Sequence, residues 1–350
     1  MHRRCTYAVA KYLIDTLTMA PARCALALAL VAAAQALAAP RSRRAALRMS
    51  IAPSDVVVMM NGLPGKMGYS CAEACVARGM TLADVALTGE PFAGTPTDDR
   101  IPKVDLVAGG SEEAEKRGAA LAAQCKKDGK VLVAVDFTAP QAALPNAEYY
   151  ARHGMHFVMG TTGGDYDKIG KTVTDGKHGA VVAPNMSKQI VAMQAVVDQA
   201  ARDFPNAFAG YDLTVIESHQ KAKVDTSGTA KAVVASLKEL NGGGFQVEDV
   251  EKVRNDETSL NGANGRLGKV PSEHLPGHAY HTYALTSGDG TVTFELRHNV
   301  NGRSTYAEGV ADACLFLAAK ADAGFPRSRF LGRRKRLFDM IDVLQEGAMS

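Results

Sequence analysis

Residues 55–68 read DVVVMMNGLPGKMG, and the fold prediction begins from this stretch. Its first part, residues 55–60, is a short apolar run with β-branched side chains, which is typical of a buried strand. Gly62, Gly65 and Gly68 follow at once, and a helical pattern begins among them. A glycine turn between a strand and a helix tolerates positive φ angles and presents backbone amides to a pyrophosphate. The stretch therefore predicts a dinucleotide-binding turn, although its G-x-x-G-x-x-G spacing differs from the commoner G-x-G-x-x-G.

Strand candidates then alternate with helical patterns as far as residue 185. The strand candidates are residues 82–87, 104–108, 131–137, 157–159 and 180–183, and helices are predicted over about 111–127 and 141–153. Strands that alternate with helices of this length indicate right-handed βαβ units and a parallel sheet. The predicted fold class is α/β, with a Rossmann-like parallel sheet domain over residues 55–185.

The pattern becomes a mixed α+β pattern after Asn185. It predicts helices over about 188–204 and 227–240, a strand over 211–216, a hairpin of residues 279–287 and 291–299, and a last amphipathic helix over about 304–320. We therefore expect a second α+β region inserted late in an α/β frame.

Composition and charge exclude several classes of protein. The chain has 350 residues, of which 46% are hydrophobic and 22% charged, so wholesale disorder, collagen and coiled coil are excluded. The first 54 residues contain eight of the 40 Lys and Arg residues and one of the 37 acids, so the other 296 residues carry a net charge of −4. This acidic body offers no electrostatic surface for nucleic acid, and the absence of Trp argues against base stacking.

Residues 1–54 differ from the rest and are predicted to be a targeting presequence. An apolar run over residues 24–39 lies between basic clusters and is short for a membrane span. The run resembles a signal-peptide core, the Arg-rich surroundings resemble a transit peptide, and both together fit a two-step targeting signal. The alternative is an N-terminal membrane anchor, and for the mature form we expect no membrane association.

The cysteines give no indication of a metal site. Outside the presequence the chain has Cys71, Cys75, Cys125 and Cys314, with no pair of C-x-x-C motifs. Cys71 and Cys75 are expected on one face of a helix, as small buried residues rather than a redox pair. The sequence therefore predicts no metal.

The expected ribose-binding acid is missing or displaced. A Rossmann fold usually carries a carboxylate about 20 residues after its glycine turn. Counting from Gly68 reaches Thr88 and Gly89, and the nearest acid is Glu90. A 2′-phosphate would meet less repulsion there, which favours NADP slightly over NAD. Two further stretches, residues 160–163 and 183–186, follow strands at the edge where ligands bind in open α/β sheets.

Residues 217–230 read ESHQKAKVDTSGTA and carry the chemistry. An apolar strand runs into a charged turn, and a helix then begins at Ser-Gly-Thr, where free amides form an anion site. Lys223 can add a positive charge to that site, and His219 can carry a proton near neutral pH. This arrangement suits a small carboxylate substrate. The alternative is an ordinary loop with an exposed His, a solvated Lys and a simple N-cap.

This stretch resembles the signature E-x-H-x-x-x-K-x-D-x-S-G-T-A of the 4-hydroxy-tetrahydrodipicolinate (dihydrodipicolinate) reductase family. The resemblance extends over about residues 55–345 and includes the glycine turn, VDFT at 135–138, GTTG at 160–163 and APNMS at 183–187. Two features depart from the commoner bacterial pattern: Gln220 stands where a second histidine is usual, and no proline precedes the Ser-Gly-Thr. Both departures resemble the plant-type branch, as does NMSKQ at 185–189.

The resemblance implies NAD(P)H-dependent reduction of 4-hydroxy-tetrahydrodipicolinate to tetrahydrodipicolinate in the diaminopimelate route to lysine. It implies that His219 donates a proton, that Lys223 binds a substrate carboxylate and assists protonation, and that Ser227, Gly228 and Thr229 hold the other carboxylate, with Gln220 as a further substrate contact. The implied residues for NADPH or NADH are Gly62, Leu63, Pro64, Gly65, Lys66, Met67, Gly160, Thr161, Thr162, Ala183, Pro184, Asn185 and Met186.

The resemblance also implies a domain order, an assembly and a location. Residues 186–303 would form a substrate-binding and oligomerisation domain with an open mixed sheet, and helices of residues 304–350 would complete the dinucleotide domain. A homo-oligomer, dimer or tetramer, is expected, and lysine-pathway chemistry behind a presequence favours the plastid. The alternative functions are another Rossmann reductase of amino-acid metabolism, of homoserine or aspartate dehydrogenase type, and a nucleotide-sensing protein without turnover.

Overall fold

The structure is a computed structural model that describes residues 51–326 and 334–346. The presequence expected over residues 1–54 lies outside the described residues except for its last four. The strands are β1 (Val56–Asn61), β2 (Thr81–Leu82), β3 (Val85–Thr88), β4 (Asp105–Ala108), β5 (Val131–Asp136), β6 (His156–Met159), β7 (Ala180–Val182), β8 (Tyr211–His219), β9 (Glu251–Val253), β10 (His278–Ser287), β11 (Thr293–Asn301) and β12 (Leu337–Phe338). The α-helices are α1 (Lys66–Ala77), α2 (Glu112–Lys127), α3 (Pro140–Arg152), α4 (Tyr166–Asp175), α5 (Lys188–Asp203), α6 (Gly228–Asn241), α7 (Asp256–Asn261), α8 (Ser304–Ala323) and α9 (Met340–Gln345).

The first sheet is parallel throughout, as the alternation of strands and helices predicted. Its six strands run in the order β12-β7-β6-β5-β1-β2. Every residue of β1 is buried, because helices cover both faces of the sheet. One face packs against residues of α1 and α8, and the other against residues of α2 and α3. Burial on both faces explains the continuous apolar run in the sequence of β1.

The single strand predicted over residues 82–87 is divided into β2 and β3. β2 pairs with β1, whereas β3 pairs with β4 in a separate two-stranded sheet. The side chain of Asn61, the last residue of β1, accepts a hydrogen bond of 2.7 Å from the backbone N–H of Leu87 in β3. This side-chain bond attaches β3 to the end of β1, next to a main-chain bond of 3.4 Å from the N–H of Gly62 to the carbonyl of Leu87.

A helix that the sequence analysis did not predict, α4, lies between β6 and β7. Asp165 caps it by accepting a hydrogen bond from the backbone N–H of Lys168. Ile169 and Val173, one turn apart, are its buried residues. Its ten residues include Gly170 and several β-branched side chains, which lower helix propensity and weaken the pattern.

The second sheet is mixed, with the order β11-β10-β8-β9. β10 is antiparallel to both β8 and β11, and β9 is parallel to β8. β8 extends to His219, three residues beyond its predicted end at residue 216, because His219 still pairs with Ala279 of β10. Residues of α5 and α6 pack on one face of this sheet.

Helix α8 returns to the first sheet and also contacts the start of α5. Within the sequence ranges that the structure describes, neither α8 nor any other helix is both long and apolar enough to cross a membrane. The buried carboxylate of Asp312 pairs with Arg78 at 2.8 Å and with Lys188 at 2.5 Å. Gly309 lies so close to Met186 that an added Cβ would stand 1.7 Å from the Met186 carbonyl oxygen. These contacts fix the loop before α5 against the first sheet.

Candidate active site

The glycine turn is packed too tightly for side chains. Gly62 has φ +109°, and a Cβ there would lie 2.5 Å from the carbonyl oxygen of Phe137. Added Cβ atoms at Gly65 and Gly68 would lie 2.6 and 2.9 Å from the carbonyl oxygen of Gly62. Gly65 is the N-cap of α1 and has no side chain that could accept hydrogen bonds from the first amides of this helix. These amides can therefore bind an anion.

A cavity of about 960 Å³ opens beside this turn, at the carboxyl ends of β1, β3, β4 and β5. Five predicted cofactor residues line it, namely Gly62, Leu63, Pro64, Gly65 and Lys66. The sixth turn residue, Met67, instead packs partly buried against the hydrophobic core. The cavity lies where dinucleotides bind in doubly wound folds, and its volume is in the range of cofactor sites.

Thr88 and Glu90 stand where the sequence led us to look for a ribose-binding acid, and two cations line the same cavity. The hydroxyl of Thr88 donates a 2.8 Å hydrogen bond to the carbonyl of Leu63, so it is engaged within the protein. Glu90 lines the cavity and is exposed. Lys66 and Arg152 also line the cavity, and Arg152 pairs with Glu115 at 2.6 Å.

The loop at residues 160–163 lies next to the glycine turn, on the other side of Phe137. An added Cβ at Gly160 would stand 2.3 Å from the Phe137 ring, whose backbone contacts Gly62. The amides of Gly160 and Thr161 donate hydrogen bonds to the carbonyl of Asp136 at 3.0 and 3.2 Å. The Thr161 hydroxyl donates to the Asp136 carboxylate at 2.5 Å, while Thr162 is exposed.

The third strand end, residues 183–186, is joined to the chemical cluster. Ala183 and Met186 are buried and Pro184 is exposed. The side-chain oxygen of Asn185 accepts a hydrogen bond from Ser187 N–H at 2.8 Å, and its amide donates to the Thr229 hydroxyl at 2.9 Å. The structure therefore connects the edge of the first sheet to the turn that begins α6.

His219 is buried at the end of β8, with 7% of its surface exposed. Its Nδ1 lies 3.1 Å from the carbonyl oxygen of His278, which makes Nδ1 the donor. Nε2 has no hydrogen-bond partner among the described residues and lies 4.0 Å from a carboxylate oxygen of Glu217. Burial, followed by the nearby His281, lowers the pKa of His219 to about 3, against the opposing effect of Glu217. The imidazole is therefore neutral at neutral pH, and its lone pair lies on Nε2, an atom that is itself buried.

Glu217 is fully buried two residues before His219. Burial alone would raise the pKa of Glu217, but hydrogen bonding to His281 and Arg254 lowers this pKa to about 2. Arg254 bonds one carboxylate oxygen, and Nε2 of His281 lies 3.5 Å from the other. Both oxygens also accept the backbone N–H of Ser227, at 3.3 and 3.1 Å. Glu217 is thus an ionised group that pairs with Arg254 and contacts the end of the turn formed by residues 220–227.

The Lys223 ammonium and the start of α6 make few polar side-chain contacts within the described structure. Lys223 is half-buried and bonds Asp225 at 2.8 Å, and its N–H bonds the carbonyl of the half-buried Gln220. In the described structure the Ser227 hydroxyl makes no cap hydrogen bond, and a Cβ added to Gly228 would meet no atom within 4 Å. The start of α6 is therefore open to an anion. Residues 217–229 lie outside the large cavity.

Glu217, His219 and His281 each offer a ligand atom within 4.8 Å of the others, which is a possible cation site. The charge balance disfavours it, because Arg254 already neutralises the carboxylate, and a divalent cation would add buried positive charge.

Sequence reasoning did not assign roles to Arg254, His281 or Glu217. Glu217 could have been found from the sequence, because it is the first residue of the E-x-H stretch. No sequence pattern points to His281 or Arg254. His281 reaches the cluster because β10 pairs with β8, and Arg254 reaches it because β9, the strand just before it, also pairs with β8.

Two family models match most of the chain. The model for the N-terminus of dihydrodipicolinate reductase matches residues 56–186, and the model for its C-terminus matches residues 189–344. The described site residues fall within these two matches.

Curated relatives from plants and bacteria are similar over most of their length. A rice protein named probable 4-hydroxy-tetrahydrodipicolinate reductase 1, chloroplastic, is 43% identical over 292 residues, which are 83% of this chain and 79% of that protein. The Arabidopsis thaliana protein named 4-hydroxy-tetrahydrodipicolinate reductase 2, chloroplastic, is 41% identical, over 86% of this chain and 80% of its own. The enzyme of that name from Herminiimonas arsenicoxydans is 30% identical, over 83% of this chain and 98% of its own.

Among solved structures, the dipicolinate-bound dihydrodipicolinate reductase from Paenisporosarcina sp. TG-14 has a similar fold. The TM-score is 0.51 at 20% identity, and the match covers 81% of this chain and 96% of that one.

Proposed function

Because the chain belongs to the dihydrodipicolinate reductase family, we propose that it reduces 4-hydroxy-tetrahydrodipicolinate to tetrahydrodipicolinate with NAD(P)H, in the diaminopimelate route to lysine. The observation that carries the proposal within the structure is the hydrogen bond between Asn185 and Thr229. It joins an edge of the first sheet to the start of α6, the helix that follows the turn with Lys223, and this turn follows His219 at the end of β8. A reductase needs these two regions together, because hydride donor and acceptor must meet.

The residues around the large cavity fit a dinucleotide. The tight glycine turn leaves the first amides of α1 for a pyrophosphate, and the cavity extends past Thr88 and Glu90 toward Arg152. When bound, NAD(P)H supplies the hydride that adds to the conjugated imine left after loss of water. We propose that residues 62–67, 160–162 and 183–186 hold it.

The substrate carries two carboxylates, and the turn offers two anion sites. We propose that the ammonium of Lys223 binds one carboxylate. The amides of Gly228 and Thr229 bind the other, together with the hydroxyl of Ser227, because the Ser227 N–H is already bonded to Glu217. Gln220, between them in sequence, would add a hydrogen bond. Binding energy from these carboxylates positions the reacting ring against the hydride donor.

Reduction of the conjugated imine leaves an enamine-like carbon that requires a proton. We propose that His219 delivers this proton and that Lys223 assists. The neutral imidazole must first take up a proton, and the two negative charges of the substrate favour its protonated form. Once protonated, a positioned acid contributes about 10²–10⁴ in rate.

We propose that NADPH is preferred to NADH. The position usually taken by a ribose-binding acid is occupied by Thr88, whose hydroxyl is engaged with Leu63, while Lys66 lines the same cavity. A 2′-phosphate would meet no carboxylate at residue 88, although Glu90 lines the same cavity, and Lys66 would offer it a positive charge.

The division of the chain, its assembly and its location are further proposals. Residues 55–185 with 304–350 would form the dinucleotide domain, and residues 186–303 the substrate-binding and oligomerisation domain of a homo-oligomer. The relatives from rice and Arabidopsis are named chloroplastic. With the basic and apolar presequence over residues 1–54, this supports a plastid location.

The test is a steady-state assay of cofactor oxidation by the purified protein. We expect oxidation of NADPH that depends on 4-hydroxy-tetrahydrodipicolinate, and a lower kcat/KM with NADH. Homoserine and aspartate serve as comparison substrates with the oxidised cofactors. Turnover with either of these, and none with the dipicolinate-type substrate, would refute the proposed function.

A further inference from the structure

We propose that Arg254 is the positioning residue of the substrate turn: it holds residues 223–227 from below, so that Lys223 and the amides at the start of α6 face a dicarboxylate. The inference rests on the proposed function for the identity of the ligand. It concerns a residue 31 positions from Lys223 along the chain, which reaches the turn because β9 pairs with β8.

All the donor groups of the Arg254 guanidinium are engaged. Its Nε donates to the carbonyl of Lys223 at 2.6 Å. One terminal nitrogen donates to the carbonyls of Val253 at 2.9 Å and Glu217 at 3.4 Å. The other donates to the carbonyl of Asp225 at 3.2 Å and to the carboxylate of Glu217. Five donors thus meet five acceptors, two of which are backbone carbonyls within the turn.

Glu217 extends this support to the helix. The carboxylate that pairs with Arg254 also accepts the N–H of Ser227, the N-cap of α6. Residues 223, 225 and 227 are therefore held at alternate positions by one buried ion pair. Glu217 is fully buried and the Arg254 side chain is 16% exposed, so water competes little for these bonds.

The groups that would touch substrate lie outside this support. The ammonium of Lys223 bonds only the exposed Asp225 among the described residues, and the space next to Gly228 is open. Arg254 itself has no remaining donor for a ligand. Its effect on the reaction is consequently indirect, through the backbone of the turn.

Lysine cannot take this role. A lysine ammonium has three donors at one point, whereas the planar guanidinium spans acceptors on both sides of the turn. Removing one partner of a buried ion pair also leaves the other charge uncompensated. The proposal therefore predicts that Arg254→Lys fails like Arg254→Ala, although it keeps the charge.

The experiment compares Arg254→Ala and Arg254→Lys with a matched control, Arg266→Ala. Arg266 belongs to the same region and pairs with Glu251, but both side chains are about half exposed. Isothermal titration measures the affinities for pyridine-2,6-dicarboxylate and NADPH separately, and kinetics give kcat/KM. A third arm adds millimolar guanidinium or ethylguanidinium to Arg254→Ala, to refill the vacated space.

We expect both Arg254 variants to lose at least about tenfold in dicarboxylate affinity and about 10²-fold in kcat/KM, with NADPH affinity within about twofold. Added guanidinium should restore part of the lost dicarboxylate affinity, and Arg266→Ala should resemble wild type. Dicarboxylate affinity near the wild-type value in Arg254→Lys, or equal losses for both ligands, would overturn the proposal.

A failure of Arg254→Ala to fold and a failure of the wild-type enzyme to turn over each have a separate consequence. If Arg254→Ala does not fold, Arg254→Lys and Glu217→Gln replace it, and unchanged dicarboxylate affinity in both would overturn the inference. Titration with pyridine-2,6-dicarboxylate does not require turnover. Failure of the wild-type enzyme to reduce its substrate would thus count against the proposed function, and not against the role of Arg254.

Discussion

The side-chain amide of Asn185 donates a 2.9 Å hydrogen bond to the hydroxyl of Thr229. This bond spans 44 residues and joins the loop after β7 to the first turn of α6. It is a direct polar link between the proposed nucleotide site and the proposed dicarboxylate site.

Asn185→Ala should weaken the connection between these two sites. A hydrogen bond of this kind contributes about 1 kcal/mol, so we expect a loss of about fivefold in kcat/KM. The same substitution should reduce the effect of bound NADPH on the affinity for pyridine-2,6-dicarboxylate. Isothermal titration with and without NADPH measures that effect, and an unaltered ratio of the two affinities would show that the bond does not couple the sites.

Lys223→Ala should damage turnover and leave NADPH binding nearly intact. A hydrogen bond to a charged group is worth about 1.5–3 kcal/mol, which corresponds to about a 10- to 100-fold loss of kcat/KM. Lys221→Ala is the matched control, since this more exposed lysine pairs with Asp256 at 2.7 Å. The role assigned to Lys223 is wrong if NADPH affinity falls by as much as kcat/KM.

His219→Gln should slow the reaction by about 10²–10⁴-fold, the contribution of a general acid. Glutamine can still donate a hydrogen bond to the carbonyl of His278, so the end of β8 should remain in place. Kinetics and NADPH titration check the result together. A rate near that of the wild type would remove His219 from the mechanism.

Lys66→Ala should reduce the preference for NADPH over NADH. If Lys66 faces the 2′-phosphate, its loss removes a charge-assisted contact that only NADPH makes. We expect the ratio of the two kcat/KM values to fall about tenfold. The exposed Lys116, on α2, provides the control substitution Lys116→Ala. Equal losses with both cofactors would place Lys66 at the shared pyrophosphate instead.

His178 should make the fold sensitive to acid. Burial, and then the charge of Arg336, lowers the pKa of His178 from 6.5 to about 4. As the pH falls below 6.5, the unfolded chain binds a proton at this residue that the folded protein does not bind, so the free energy of unfolding decreases until about pH 4. At pH 5 the penalty is about 2 kcal/mol.

His178→Phe should remove this penalty and keep the contact with the ring of Phe157, whose centroid lies 5.8 Å away. Urea denaturation at pH 7.5 and pH 5 gives the loss of unfolding free energy for each protein. We expect the loss to be about 2 kcal/mol smaller in the variant. The same loss in both proteins would rule out His178 as a source of acid sensitivity.

The elements that the sequence predicted well are those with a local signal. β1, the glycine turn and α1 follow from an apolar run and a helical pattern, and every strand pair of the first sheet is parallel, as expected. The break between β2 and β3 was missed because residues 82–87 look like one strand in the sequence, whereas β2 pairs with β1 and β3 pairs with β4. No periodic pattern within residues 82–87 shows with which strand each part pairs.

The candidate site likewise contains residues that the sequence predicted and residues that it did not. His219, Lys223 and the start of α6 belong to one continuous stretch, so their proximity was predictable. Arg254 contacts Glu217 across 37 residues, and β9, the strand before Arg254, has only three residues. Arg254 bonds backbone carbonyls, which every residue has, so no pattern of residue types in the sequence indicates its partners. Its position is seen only in the folded chain.

The packing of α8 on the first sheet has a consequence for biogenesis. Residues 304–323 emerge late from the ribosome, yet they form one covering layer of the first sheet. Until they arrive, the apolar surface that they cover is open to solvent and to chaperones. The core of the first sheet is therefore completed only after residues 183–303, which lie between β7 and α8 in the chain, have been synthesised.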